Sequence, residues 1–437
     1  VNCFLSGPSQ SLPKMNAEKM ATKEADRIQS LDVIRGFALL GILLLNILIF
    51  GLPYSVALLP GLAIENELDL FVWAIIDISS EGAMRSIFSM LFGAGAALFL
   101  LRDSDRGAMY FRRMTWLLIF GLFDIFVLMW VGDILVAYAV VGFLLYFFRN
   151  LSARSLSIWG LSFFLLHSTW LTLGSWSLQQ LETAVEEIQV LDEKNIVLSD
   201  EQVEILAAWE EYRPLLSPSE AEIEQEIAER SGSRQSAFNW HLEKGVKVLL
   251  EDLPSAVLWD AFLMMVIGMA LFKSGFLQGN YLIKQYMLIG GTAFLVGVAV
   301  NSWEVYRSIS SDFDPLISNA FINPTYHVGR FGMAIGWVSL LIVLVKLRNF
   351  GARLAAVGRM ALTNYLSQSL ICALIFTEFG LGLFSELSRA ELYPIVLVIW
   401  VFQIWFSKWW LDRYHFGPLE WLWRRLTYLQ PVKLKKG

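Results

Sequence analysis

The sequence predicts an all-α polytopic membrane protein with about ten transmembrane helices. Only 17% of its 437 residues are charged and 56% are hydrophobic, whereas a soluble domain is about a quarter charged. Apolar stretches close to the length of a bilayer crossing recur along the chain. Lys and Arg concentrate in the two tails and in alternate connections, which predicts that both termini are cytoplasmic.

A window pass separates two groups of five apolar stretches. They lie at about 31–52, 85–101, 114–130, 134–148, 155–176, 256–272, 281–303, 326–347, 361–384 and 393–411. The predicted segments are a cytoplasmic tail (1–30), a first membrane half (31–176), an acidic extracytoplasmic insertion (177–255), a second membrane half (256–411) and a basic, amphipathic cytoplasmic tail (412–437). An odd number of crossings per half puts the halves in opposite orientation, as in the inverted repeats of transporters.

The insertion 177–255 is predicted to form a small helical cap outside the membrane. Ser199 begins one helix, and Ser217 with Glu220 begins a second helix that stops at Gly232. The acidic residues of this insertion account for most of the net charge of −6, so no nucleic-acid partner is indicated. A solvated acidic hairpin that only spaces the two halves is the alternative.

Cysteine and histidine usage predicts neither a disulfide frame nor a metal site. Cys3 lies in the N-terminal tail, Cys372 lies in a predicted span, and the four His are scattered. The tail is expected to be disordered and the first span to be a retained signal anchor. The segment 53–84 is predicted to be a second external element that is partly helical.

Polar residues mark one stripe of the first span. Asp32 and Arg35 lie three residues apart and can pair. Asn46 lies eleven residues beyond Arg35, which at 100° per residue returns to within about 20° of the same face. Such a stripe faces the interior of the bundle, where it either bonds helices together or lines a functional channel.

Two further patterns are predicted to lie inside the bundle. Asn364 and Gln368 are four residues apart on one face of the ninth span, where neutral amides bond to a neighbouring helix or contact a ligand. Gly93 and Gly95 are predicted to be positions where helices pack closely.

The polar residues fall into two layers by predicted depth. Those near the cytoplasmic face are Asp32, Arg35, Arg112, Arg113, Arg353, Arg359 and Asn364. Those near the outer face are Asn46, Arg85, Asp133, Asn301, His327, Arg330 and Glu378. Cations on one side and an acid or base on the other suit a cytoplasmic acyl donor and an outer acceptor, but they also suit a transporter with two gates.

Five segments carry a resemblance to a known family. They are LDVIRGFALLGILLLNI, RSIFSMLFGAGAALFL, VGDILVAYAVVGFLL, GRMALTNYLSQSLIC and FGPLEWLWRRLTY. They resemble the YeiB-like bacterial membrane proteins, the family known as domain of unknown function 418. The N-terminal half of that family is similar to heparan-alpha-glucosaminide N-acetyltransferase, which moves acetyl from cytosolic acetyl-CoA to a sugar across a membrane. Arg35 and Asn46 repeat the spacing of an Arg and an Asn in that enzyme's first span.

The resemblance implies a transmembrane acyltransferase of the bacterial cytoplasmic (inner) membrane. Its donor would be acyl-CoA, acetyl-CoA above all, and its acceptor a hydroxyl or amine of a small molecule or glycan at the outer face. These two substrates and membrane lipids are the expected partners, and whether two copies pair as a homodimer is left open. The second hypothesis is a small-solute transporter or exporter, and the third a structural or sensory membrane protein.

Site roles follow from the resemblance. Contacts with the acyl-CoA donor are assigned to Arg35, Arg359, Asn364 and Gln368. Contacts with the acyl acceptor are assigned to Asn46, Arg85 and Asp133. The base is assigned to Asp124 or His327. Asp124 departs from the family pattern, which usually has a His in the third span, so this carboxyl either replaces the His or pairs with another polar group of the bundle.

Overall fold

The computed structural model describes residues 28–101, 107–194, 196–348 and 350–436. Regular structure in these residues is helical, apart from one isolated β-bridge between Tyr414 and Lys435. The predicted all-α class is therefore confirmed. Cys3 and almost all of the N-terminal tail lie outside the described residues.

The helices follow one another with short connections. Those of the first half are α1 (Gln29–Gly51), α2 (Tyr54–Leu58), α3 (Glu67–Ser80), α4 (Ala83–Leu101), α5 (Gly107–Phe126), α6 (Leu135–Phe148) and α7 (Ala153–Glu193). Those of the long connection are α8 (Asp200–Leu216), α9 (Glu220–Ser231) and α10 (Arg234–Lys247). A π-helical segment, Val248–Val257, then leads into α11 (Leu258–Lys273), α12 (Ile283–Ser310), α13 (Pro315–Arg348), α14 (Ala352–Arg359), α15 (Ala361–Phe376), α16 (Leu392–Arg413) and α17 (Pro418–Tyr428).

Seven helical stretches of the described residues are long and apolar enough to cross a membrane. They are Gln29–Gly51, Glu67–Leu101, Ala153–Leu191, Arg234–Lys273, Ile283–Ser310, Pro315–Arg348 and Leu392–Arg413. Helices α6 and α15 are apolar but shorter, and α5 contains Arg112, Arg113 and Asp124. The chain is thus a polytopic helical membrane protein, while the count of about ten crossings and the orientation of the termini stay predictions.

The segment 53–84 is helical over much of its length, as predicted. Asn66 caps α3, because its side chain accepts hydrogen bonds from the backbone N–H groups of Leu68 and Asp69, at 3.0 Å each. Only Glu81 and Gly82 separate α3 from α4. Gly82 has φ +61°, a conformation that favours glycine. The two helices therefore join at a tight turn.

Helices α4 and α11 cross in backbone contact. A Cβ on Gly93 would lie 2.0 Å from the carbonyl oxygen of Met265, and a Cβ on Gly268 would lie 2.0 Å from that of Met90. Close packing at Gly93 is therefore confirmed. For Gly95 the prediction was wrong, because nothing lies within 4 Å of its added Cβ.

The long connection forms three short helices, where the sequence predicted at least two. The capping box at Ser199 is confirmed. The second box begins at Ser219 with Glu222, not at Ser217 as predicted. Both positions match the sequence pattern of a capping box, but Arg213 selects the second by donating from Nη2 to Glu222 at 2.9 Å.

Arg230 attaches this connection to the bundle. Its guanidinium donates to the carbonyl oxygens of Ile49 at 3.2 Å and Leu52 at 3.3 Å, and it lies 3.6 Å from the centre of the Phe384 ring. The Ile49 carbonyl belongs to the last turn of α1 and Leu52 is the residue that caps it, so neither carbonyl has an intrahelical partner. The connection therefore covers the C-terminal end of α1.

Candidate functional site

Four arginines line a cavity of about 320 Å³ at the N-terminal end of α1. They are Arg35 of α1, Arg113 of α5, Arg359 of α14 and Arg424 of α17. We call this space the arginine cavity. Four guanidiniums from four helices in one cavity favour an anionic ligand, because guanidinium pairs with phosphate and carboxylate through two parallel hydrogen bonds.

Glycines bring Arg35 and Arg359 together. A Cβ on Gly36 would lie 2.1 Å from the carbonyl oxygen of Leu354, and a Cβ on Gly358 would lie 2.0 Å from that of Asp32. Helices α1 and α14 therefore touch backbone to backbone beside both arginines. The predicted ion pair of Arg35 with Asp32 is confirmed, with Nη1 and Oδ1 3.0 Å apart.

Helix α17 closes one side of the arginine cavity. The Glu420 carboxylate accepts from the backbone N–H of Thr363 at 3.0 Å and from its hydroxyl at 2.6 Å, and burial raises the pKa of this carboxyl. Trp423 stacks under the Arg113 guanidinium at 3.6 Å and donates to the Arg113 carbonyl at 3.0 Å. The predicted amphipathic tail helix is thus part of the cavity wall.

The arginine cavity continues along α4 as an apolar channel. Phe88, Leu91, Phe92 and Phe99 line it, and Phe88 and Phe99 are eleven residues apart, or about 16 Å by helical rise. Tyr138, which also lines the cavity, forms a hydrogen bond of 2.6 Å with Ser89. The cavity is therefore charged at one end and apolar, with one hydroxyl pair, at the other.

A second cavity, of about 390 Å³, lies at the other end of α1 and is lined by Asn46 and six charged residues. These are the carboxylates Asp77, Glu81 and Glu304 and the guanidiniums Arg85, Arg330 and Arg389. We call it the mixed-charge cavity. The stripe predicted on α1 therefore reaches both spaces, with Arg35 in the arginine cavity and Asn46 in this one.

The two cavities come within one turn of α4 of each other. Arg85 lines the mixed-charge cavity and Phe88 lines the arginine cavity. Arg85 also interacts electrostatically with Tyr138. The linings of the two cavities therefore meet on α4, and we call this boundary, around Arg85 and Phe88, the wall.

Beside this wall lies a buried cluster of His, Asp and Arg. Asp260 pairs with Arg330 and lies 3.4 Å from Nε of Arg85. Nδ1 of His167 and Nε2 of His327 are 2.8 Å apart, so one of the two imidazoles donates and the other accepts. His327 and Arg330 are almost fully buried. Buried charged groups in a membrane bundle are costly, and they mark functional sites.

The same cluster offers a set of metal-binding groups. His167, His327 and Asp260 place one ligand atom each within 4.8 Å of one another, and two imidazoles with a carboxylate suit several divalent metals. Two guanidiniums already pair with Asp260, so a dication would lie next to two positive charges. The cluster is therefore better matched to hydrogen bonding and proton transfer than to a metal.

Asp124 and Asp133 form a second buried group. The two carboxyls are within electrostatic range of each other, Ser369 donates to Asp124 at 3.2 Å, and Tyr365 donates to Asp133 at 3.4 Å. Tyr365 also lines the arginine cavity. Asp133 therefore belongs with Asp124 and does not line the mixed-charge cavity, where its predicted contact with an acceptor would require it to be.

Asn364 and Gln368 join helices α15 and α16. The Asn364 amide donates to Ser407 at 2.9 Å and the Gln368 amide donates to Gln403 at 3.0 Å. Neither residue lines the arginine cavity. The geometry matches the interpretation that these amides bond neighbouring helices together. Nothing in the arginine cavity supports the contacts with acyl-CoA that were predicted for them.

Sequence reasoning missed several residues that the fold brings together. His167 lies 160 positions before His327 and on an apolar face. Asp260 and Glu304 sit at the ends of apolar spans, and an acidic residue in such a place is itself a functional signal. Arg424 carries no such signal, because arginine is common at helix ends that are predicted to be cytoplasmic. Arg113 was placed in the predicted cytoplasmic layer but was given no role of its own.

Fold and site together define a helical membrane protein with two polar cavities that approach each other inside the bundle. Residues 271–430 match the family model described as "Protein of unknown function (DUF418)". The chain is 33% identical over 410 residues to "Uncharacterized protein YeiB" of Escherichia coli (strain K12), covering 92% of this chain and 96% of that protein. It is 28% identical over 424 residues to "Uncharacterized protein YxaH" of Bacillus subtilis (strain 168), covering 94% and 97%. No solved structure matches it.

The chain belongs to the DUF418 family, as the five signature segments predicted. The names of these relatives state no activity. The function must therefore be argued from the cavities.

Proposed function

We propose that the protein is a membrane acyltransferase that moves an acyl group from acyl-CoA in the arginine cavity to an acceptor in the mixed-charge cavity. The observation that carries this proposal is the approach of the two cavities to within one turn of α4, at Arg85 and Phe88. The predicted orientation places the arginine cavity on the cytoplasmic side, where acyl-CoA is available.

The arginine cavity suits a nucleotide-linked thioester. Phosphates would pair with the guanidiniums of Arg35, Arg113, Arg359 and Arg424. A volume of about 320 Å³ is at the small end for ligand cavities. The cavity would therefore hold the uncharged pantetheine arm of acyl-CoA, with the nucleoside at the cavity mouth. The arm would run along Phe99 and Phe92 toward Tyr138.

The chemistry at the wall is an acyl exchange. An acceptor oxygen or nitrogen loses a proton and forms a bond to the thioester carbonyl carbon, the carbon–sulfur bond breaks, and the thiolate takes up a proton. His327 is one candidate for the base, because its Nδ1 has no hydrogen-bond partner among the described residues and its cluster includes Arg85. Asp124 is the other, and it reaches the arginine cavity through Asp133 and Tyr365.

The proposal is tested by acetyl-CoA binding to the purified full-length chain in detergent. Arg359→Gln is expected to bind about tenfold more weakly, the loss typical of one charged hydrogen bond. Arg353→Gln is the matched control, because Arg353 is exposed on the same helix, and it is expected to bind normally. Absence of saturable binding by folded wild-type protein would refute the proposal.

Turnover then identifies the base. Slow hydrolysis of acetyl-CoA is expected to be lost in either His327→Gln or Asp124→Asn while binding is retained. Loss in neither variant would remove both residues from the chemistry.

A transporter is the second candidate, because separate polar cavities at the two ends of a bundle are also what alternating access requires. Acyl-CoA binding discriminates between the two, since a transporter of a small solute has no use for it. Flux of solutes across a vesicle membrane, without acyl-CoA binding, would favour the transporter.

A further inference from the structure

Among the described residues, the three carboxylates of the mixed-charge cavity have basic neighbours only at longer range: Arg389 is within electrostatic range of Asp77, and Arg85 is within that of Glu81. Asp77 is within electrostatic range of both Glu81 and Glu304. Among the described residues, no Lys or Arg nitrogen lies within 4.0 Å of these three carboxyl groups. Two of them accept hydrogen bonds from neutral hydroxyls, Glu304 from Thr325 at 2.5 Å and Glu81 from Tyr326 at 3.4 Å. Three neighbouring carboxylates without a cation in direct contact are unfavourable unless a positive group joins them.

Arg389 presents the opposite charge to the same cavity. Its side chain is 5% exposed, and its Nε and Nη1 have no hydrogen-bond partner among the described residues. The backbone holds it in place, because the N–H of the next residue, Ala390, donates to Asp69 at 2.7 Å. A buried guanidinium with two unused donors is costly, and an anionic ligand would satisfy both.

We propose that the mixed-charge cavity binds a small zwitterion, in which a primary ammonium faces Asp77, Glu81 and Glu304 and a phosphate or carboxylate faces Arg389. A primary ammonium has three donors, which three carboxylates can accept. The cavity of about 390 Å³ is of a size that holds such a molecule. The charges of Arg85 and Arg330 are already offset by Asp260, with which both form ion pairs.

The role of this zwitterion as the acyl acceptor rests on the function proposed above. In that role its amine nitrogen would become the nitrogen of an amide. Binding of the zwitterion does not rest on that function. The shared chemistry could come from a free molecule, such as phosphoethanolamine, or from the headgroup of phosphatidylethanolamine.

The test compares probes on the full-length wild-type chain by calorimetric titration. Phosphoethanolamine is expected to bind at least about tenfold more tightly than ethanolamine or inorganic phosphate, each of which carries only one of the two charges. Arg389→Gln is expected to reduce the affinity for phosphoethanolamine about tenfold, and so is Glu81→Gln. Arg413→Gln, at an exposed position outside the cavity, is the matched control and should bind as the wild type does.

A second arm separates the two sources. If the free zwitterion does not bind, nanodiscs are compared, and phosphatidylethanolamine should be retained with the protein in preference to phosphatidylglycerol. Equal binding of ethanolamine and phosphoethanolamine, or unaltered binding by folded Arg389→Gln, would overturn the proposal. So would absence of binding in both arms. Zwitterion binding without acetyl-CoA binding would keep this site and remove acyl transfer.

Discussion

The contact of α4 with α11 makes a sharp prediction about two glycines on one helix. In Gly93→Ala the new Cβ would start 2.0 Å from the Met265 carbonyl oxygen, whereas ordinary contact begins near 3.4 Å. The two backbones would have to separate locally by about 1.4 Å, and overpacking of this kind costs about 1–3 kcal/mol. The higher helix propensity of alanine offsets up to about 1 kcal/mol of this packing cost. The net effect is a destabilisation of up to about 2 kcal/mol.

Gly95→Ala is the matched control. The same change two residues away meets nothing within 4 Å, so only the helix-propensity gain of about 1 kcal/mol applies. We expect thermal unfolding of the two purified variants in one detergent to place Gly93→Ala below the wild type and Gly95→Ala at or above it. Equal midpoints for the two variants would refute the claim that α4 and α11 touch at Gly93.

Three further predictions follow from the polar contacts. Asp260→Asn should lower the thermal stability strongly, by about 3–5 kcal/mol as for a broken buried ion pair, because Arg330 loses its carboxylate; an unchanged midpoint would show that the pair is not buried. The Arg213 guanidinium lowers the pKa of Glu222 to about 2, so amide protection in α9 should be full above about pH 4.5 and fall as the pH drops toward 2; Glu222→Gln should flatten this dependence. Glu420→Gln should weaken the contact of α17 with Thr363 and raise protease cleavage near residue 420, and cleavage equal to the wild type would contradict the docking.

The sequence predicted much of the bundle because spans in a membrane obey strong rules. A run of apolar residues as long as Leu31–Phe50 has few alternatives to a crossing helix. The polar stripe of α1 was also predictable, since helical periodicity alone puts Arg35 and Asn46 on one face. Both residues now line cavities.

Long-range partners were not predictable in the same way. The pairing of His167 with His327 depends on how α7 packs against α13, and no local pattern records that contact. Likewise, Asp77 and Glu304 belong to helices that are more than 200 residues apart in the chain, so their proximity required the fold. The capping error at Ser217 has a similar origin, because the contact of Arg213 with Glu222 decided between two equal patterns.

The proposed acyl transfer requires that acyl-CoA enter the arginine cavity and reach the wall between the cavities. The most direct measurement is photolabelling of the full-length chain with an acyl-CoA analogue that carries its reactive group at the acyl end. Labelling is expected close to Tyr138 or Phe88, and it should be suppressed by excess acetyl-CoA and reduced in Arg359→Gln. Labelling confined to other regions, or labelling that acetyl-CoA does not suppress, would contradict it.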